Sequence, residues 1–151
     1  MLALRNLRVL LVEDDPELAR TVERSLAYYG HRTVIAGSVA AAAALADNFD
    51  CGILDIDLPD GSGVQLAESL LDRGQIGAVV FFSASSDAAV VDGARELGTF
   101  VAKTAGVREL ERALADAVSC AARQVAGSER LPANPRRRTK SGTRRKTTGP
   151  R

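Results

Sequence analysis

The sequence predicts an α/β protein, a doubly wound five-stranded parallel sheet made of five successive β-α units. Three observations carry this. Apolar runs of four or five residues recur along the first 126 residues, amphipathic stretches at helical spacing separate them, and the two alternate five times. Right-handed crossovers between such strands place helices on both faces of the sheet.

The elements follow in chain order. Val9–Val12 is the first strand and runs into Asp15-Pro16-Glu17, a helix start with an acid at the N-cap, proline at the first helical position and an acid in the first turn. Gly30 suits the end of that helix, and His31, in the turn after it, is expected at the surface. Thr33–Ala36 forms the second strand, and Ser38 caps an alanine-rich second helix. Cys51–Leu54 is the third strand, with Ser62 capping the third helix. Ala78–Phe82 is the fourth, followed by a helix capped by Ser86 or Asp87. Thr99–Ala102 is the fifth. The last helix carries Val107, Leu110, Leu114, Val118, Ala121 and Val125 on one stripe. All five strands are expected to be buried on both faces.

A chain of 151 residues, 46% of them hydrophobic, suffices for one domain with a real core. No apolar run approaches the roughly 18 residues a membrane span needs, so no membrane association is expected. The first residues, MLALRNLRVLLVEDD, place acids directly after an apolar run and offer no small-residue cleavage site, unlike a secretory signal. Cys51 and Cys120 are too far apart to suggest a disulfide or a metal site. They read as buried or half-buried small hydrophobes in a reducing compartment. A cytoplasmic location is expected.

The net charge of +1 conceals two unlike parts. Residues 1–126 hold 11 Lys+Arg against 18 Asp+Glu, a net of −7, whereas residues 127–151 hold 9 against 1, a net of +8. The second part, GSERLPANPRRRTKSGTRRKTTGPR, has few apolar residues and three prolines. It is expected to be a disordered basic tail, because it cannot bury enough surface to offset its ordering entropy. The domain boundary therefore falls at residues 126/127.

Binding groups in a doubly wound sheet gather at the carboxyl ends of the strands. Those ends carry Glu13-Asp14-Asp15, Asp55, Ser83 and Lys103. Converging carboxylates repel one another unless a cation neutralises them, and oxygen donors without His or Cys favour Mg²⁺. Lys103 is the single lysine among residues 1–126, beside ten arginines, as suits a site that wants a compact point charge.

The ordered motifs VEDD, ILDIDLPDGSG, FFSAS and FVAK resemble the receiver domain of two-component signalling across residues 6 to about 124. The resemblance implies a flavodoxin-like receiver fold in which Asp55 accepts a phosphoryl group. It implies that Asp14 is a direct Mg²⁺ ligand, that Glu13 holds the ion through water, and that Asp55 and the Asp57 backbone carbonyl complete the set. Ser83 and Lys103 are implied as partners of the phosphoryl group, and Ser83 and Phe100 as the switch pair. Asp57 and Ser85 occupy positions that tune dephosphorylation in the family. Otherwise Asp57 and Asp60 read as loop solubilisers, and Asp15 as a helix cap.

The sequence departs from the family in three places. Thr104 follows Lys103 where proline is usual, the turn at Gly98-Thr99-Phe100 is about two residues short, and Phe100 replaces the more usual tyrosine. All three bear on the output surface rather than on the phosphoacceptor.

The expected function is a phosphorylation-dependent switch, with a sensor histidine kinase or phosphotransfer protein as donor and a downstream protein as target. Such a receiver catalyses only its own phosphoryl transfer and autodephosphorylation, and no DNA-binding or enzymatic output segment is recognisable. The alternative is a polyanion-binding protein acting through the tail. Non-specific nucleic-acid contact by residues 130–151 would be salt-sensitive and without base readout, since no aromatic residue is available for stacking. Asp55-Ile56-Asp57 also fits the nucleophile-x-acid pattern of haloacid-dehalogenase phosphohydrolases. That family places the pattern on its first strand and needs a longer chain.

Overall fold

The computed structural model describes residues 6–129. The basic segment from residue 130 onward, and the tail and nucleic-acid expectations attached to it, lie outside the described residues. Five parallel strands form one sheet: β1 (Arg8–Val12), β2 (Arg32–Ala36), β3 (Phe49–Leu54), β4 (Ile76–Ser83) and β5 (Thr99–Ala102). Their spatial order is β2-β1-β3-β4-β5. The helices are α1 (Pro16–Tyr28), α2 (Val39–Ala43), α3 (Gly63–Asp72), α4 (Ala88–Leu97) and α5 (Val107–Glu129). A short antiparallel hairpin pairs Asp57 with Ser62 and Leu58 with Gly61. Helix α5 runs on past residue 126. Among the described residues, no helix is long and apolar enough to cross a membrane.

Alternation along the strands builds two cores. Leu10, Val12, Leu54, Val79 and Phe81 face the side covered by Ala42 of α2, Leu66 and Leu70 of α3, and Ala94 of α4. Val9, Leu11, Cys51, Ile53, Val80 and Phe82 face the side covered by Ala19, Val22 and Leu26 of α1 and by Leu110 and Leu114 of α5. A one-residue slip of any central strand would exchange these sets, so the register is strongly specified. The expected caps are present: Asp15 on α1, Ser38 on α2, Ser62 on α3 and Asp87 on α4 each accept backbone N–H groups.

Several expectations are corrected. Strands β2 and β5 lie at the two sheet edges, so neither is buried on both faces: β2 stands beside a five-residue α2 with Ile35 38% exposed, and in β5 only Val101 is buried. Cys51 is buried but Cys120 is exposed. The short turn before β5 is a single residue, Gly98, between α4 and β5. A Cβ at Gly98 would collide with the Val79 carbonyl oxygen and lie 2.7 Å from Val79 Cγ1.

His31 is buried rather than at the surface. The Leu7 N–H donates to its Nδ1 at 3.3 Å, and its Nε2 lies 4.0 Å from Glu111 Oε1 on α5. Burial lowers its pKa below the ordinary value, with Glu111 pulling the other way. In the unfolded chain His31 takes up a proton near pH ~6.5. Below that pH the unfolded state binds the proton first, so the stabilisation His31 gives is complete above about 6.5 and lost as pH falls through the folded pKa. The stability advantage of wild type over His31→Gln, from urea unfolding, should therefore shrink as pH falls below that value. A pH-independent advantage would contradict the assignment.

Candidate functional site

The sheet ladder carries the site residues. Glu13 N–H donates to Ala36 O at 3.1 Å, and Asp55 N–H to Val12 O at 3.0 Å, so both acids extend the hydrogen-bonded edge by one step. Ser83 is the last residue of β4 and pairs with Ala102, the residue before Lys103. Four chain segments thus deliver polar side chains to one rim.

There the side chains close on Asp55, which is 5% exposed. The Ser83 hydroxyl, itself 0% exposed, donates to Asp55 Oδ1 at 2.8 Å, and the Asp57 N–H reaches the same oxygen at 3.2 Å. The Lys103 ammonium donates to Asp55 Oδ2 at 2.7 Å and sits 3.0 Å from Glu13 Oε2. Glu13 is also buried, and its Oε1 accepts the Asp15 N–H at 3.2 Å. Burial raises the Glu13 carboxyl above its usual value and the Asp55 charge adds to that, against lowering contacts from Lys103 and Asp15. Burial by itself would lower the Lys103 ammonium, but its bonds to Asp55 and Glu13 outweigh this and its pKa is raised.

Asp14 is exposed beside this buried set, and oxygens of Glu13, Asp14 and Asp55 lie within 4.8 Å of one another. Three carboxylates against one ammonium leave a formal surplus of two negative charges. An all-oxygen set with that surplus fits a hard divalent cation such as Mg²⁺.

Glu13, Asp14, Asp55, Ser83 and Lys103 are thus brought together, and Asp57 joins them through its N–H. Phe100 stands apart. It pairs with Phe81 and packs half-buried against the core beneath α4, with the Arg95 guanidinium 6.0 Å from its ring centroid. Where proline is usual, Thr104 lies in a 3-10 turn, Lys103–Ala105.

One residue was undervalued by sequence reasoning. Asp60, read as a solubiliser, accepts the Val39 and Ala40 N–H groups across 21 and 20 residues of chain. No local pattern signals such a contact.

Comparison with known proteins agrees with the fold. The family model "Response regulator receiver domain" matches residues 9–115. The transcriptional regulatory protein DpiA of Escherichia coli K12 is 35% identical over 101 residues, which cover 62% of this chain and 43% of that protein. The chain thus spans less than half the length of the curated relatives it matches. Among solved structures, the N-terminal domain of a response regulator/sensory box/GGDEF three-domain protein from Carboxydothermus hydrogenoformans is 29% identical, with a TM-score of 0.68 over 78% of this chain and 98% of that one. A CheY-like receiver domain from Methanospirillum hungatei, 19% identical, shares the fold with a TM-score of 0.72 over 79% of this chain and 98% of its own.

Proposed function

Because this chain belongs to the response-regulator receiver domain family, whose members act in phosphorylation-dependent signalling, we propose that Asp55 accepts a phosphoryl group from a sensor histidine kinase or phosphotransfer protein. One observation carries the reading: a nine-tenths-buried carboxylate has each oxygen held by a different donor, Ser83 on Oδ1 and Lys103 on Oδ2, beside a surplus of negative charge.

The transfer balances simply. An Asp55 oxygen forms a bond to phosphorus as the donor's P–N or P–O bond breaks, and the leaving group keeps the bonding pair. Phosphoryl transfer is mostly positioning and charge neutralisation. Lys103 supplies one fixed positive charge and Ser83 one hydroxyl donor, and both are within reach of groups attached to Asp55. Receiver domains bind Mg²⁺ at an acidic pocket; here Glu13, Asp14, Asp55 and the Asp57 carbonyl would hold it, and the ion would neutralise phosphoryl oxygens. The chain's own catalysis ends with that transfer and the hydrolysis that passes the phosphoryl group to water and restores the Asp55 carboxylate. Output would pass by protein contact, through the surface of α4 and β5 that includes Phe100.

The test is incubation with Mg²⁺ and acetyl phosphate, read by intact mass. A gain of one phosphoryl group is expected, and none when a chelator of Mg²⁺ is present from the start. No gain sinks the reading.

A further inference from the structure

Asp60 lies in the turn of the hairpin that follows Asp55, and its carboxylate spans the gap to α2. Its Oδ1 accepts the Val39 N–H at 2.8 Å and its Oδ2 accepts the Ala40 N–H at 2.9 Å. These amides belong to the first turn of α2, which has no intrahelical partners for them. Ser38 Oγ takes the next one, from Ala41, at 3.0 Å. Although exposed, the Asp60 carboxyl is held below its ordinary pKa by these two amides, Ala40 first. The hairpin turn also passes close to α2, leaving little room at Gly61, where a Cβ would lie 3.3 Å from Val39 Cγ2. Helix α2 has five residues, far below the length at which a helix persists unaided. Its order depends on what holds it, and one of those holds is borrowed from the phosphoacceptor loop.

The other end of that loop touches Asp55. The Asp57 N–H donates to Asp55 Oδ1, the hairpin then pairs Asp57 with Ser62 and Leu58 with Gly61, and the Gly63 N–H closes it on Ile56 O at 2.8 Å. A hairpin this short has few internal freedoms, so a change at its base reaches its turn.

We propose that Asp60 is a positioning residue that couples the phosphorylation state of Asp55 to the order of α2, making the β2–α2 edge a phosphorylation-sensitive surface. The inference rests on Asp55 being the phosphoacceptor. Phosphorylating an Asp55 oxygen, which makes a mixed anhydride, redistributes charge at the oxygens that Asp57 N–H and Lys103 now bind. The Asp57 amide follows, the hairpin shifts with it, and Asp60 transmits the shift to Val39 and Ala40. The edge affected already exposes Ile35 on β2.

Hydrogen exchange of the full chain, with and without Mg²⁺ and acetyl phosphate, tests this on the peptide covering residues 38–45, with intact mass followed in parallel. Without phosphodonor, Asp60→Ala should speed exchange there about fivefold, the scale of a lost helix cap. In wild type, phosphorylation should change exchange in that peptide. In Asp60→Ala that change should disappear while the phosphoryl adduct still forms, and Asp60→Asn, which keeps one acceptor oxygen, should restore part of it. An adduct on wild type with exchange of residues 38–45 unaltered, or altered equally in Asp60→Ala, overturns the coupling and leaves the phosphoacceptor reading standing. A wild type that forms no adduct overturns both.

Discussion

Asp55→Asn will take up no phosphoryl group from acetyl phosphate under conditions that label the wild type. The substitution keeps the shape of the side chain. An amide oxygen can still accept the Ser83 hydroxyl and the Asp57 N–H, now at 2.8 and 3.2 Å from Oδ1. What it loses is the second anionic oxygen. The amide nitrogen is no nucleophile toward phosphorus, and it presents hydrogens to the Lys103 ammonium where Oδ2 now accepts at 2.7 Å. Lys103 would keep its partner Glu13, 3.0 Å away. The variant should remain folded, because removing one of two neighbouring buried carboxylates relieves repulsion that Glu13 now feels. A circular dichroism spectrum matching the wild type would confirm that lost labelling is chemical. Labelling that persists at the wild-type level would place the phosphoryl group on another residue.

The strands were legible because parallel strands buried on both faces read as continuous apolar runs, and Val9–Val12 and Cys51–Leu54 do. The rim was legible for a related reason. Glu13, Asp55, Ser83 and Lys103 each stand at or just past a strand's carboxyl end, and the fold brings such ends together whatever the loops do. Contacts that depend on loop geometry were not readable. Nothing in the sequence says that Lys103 binds Glu13 as well as Asp55, or that Asp60 reaches α2. His31 looked like a turn residue, yet the Leu7 amide and Glu111, distant in sequence, enclose it. The edge position of β2 follows from strand order, which apolar periodicity does not encode. Phe100 is a case of its own: its place follows from its position before Lys103, while the Arg95 guanidinium 6.0 Å from its ring depends on the one-residue turn at Gly98.

Gly63→Ala should be the most disruptive single-methyl change near the site. Gly63 opens α3 directly after its cap, Ser62, and its N–H is bonded to Ile56 O at 2.8 Å. A Cβ there would run into the carbonyl oxygen of Asp55, 2.8 Å from that carbonyl's carbon and 3.0 Å from Ile56 Cα. These are backbone atoms of Asp55 and its neighbour, so no side-chain rotation can clear them. Either the start of α3 or the segment bearing Asp55 must move. Overpacking of this kind costs about 1–3 kcal/mol, visible as a lower urea midpoint with an unchanged slope. Phosphorylation should fall as well, by up to ~100-fold, because displacement of about 1 Å at a reacting group can cost that much. Gly93→Ala supplies the contrast. Gly93 lies within α4 with nothing near its missing Cβ, so alanine there should leave stability unchanged or raise it by roughly 0.5–1 kcal/mol. Equal stability of the two variants would mean that α3 leaves room for a Cβ at Gly63 beside the Asp55 carbonyl. A separation of the expected sign, with slower labelling confined to Gly63→Ala, would tie the backbone of Asp55 to both the fold and the chemistry.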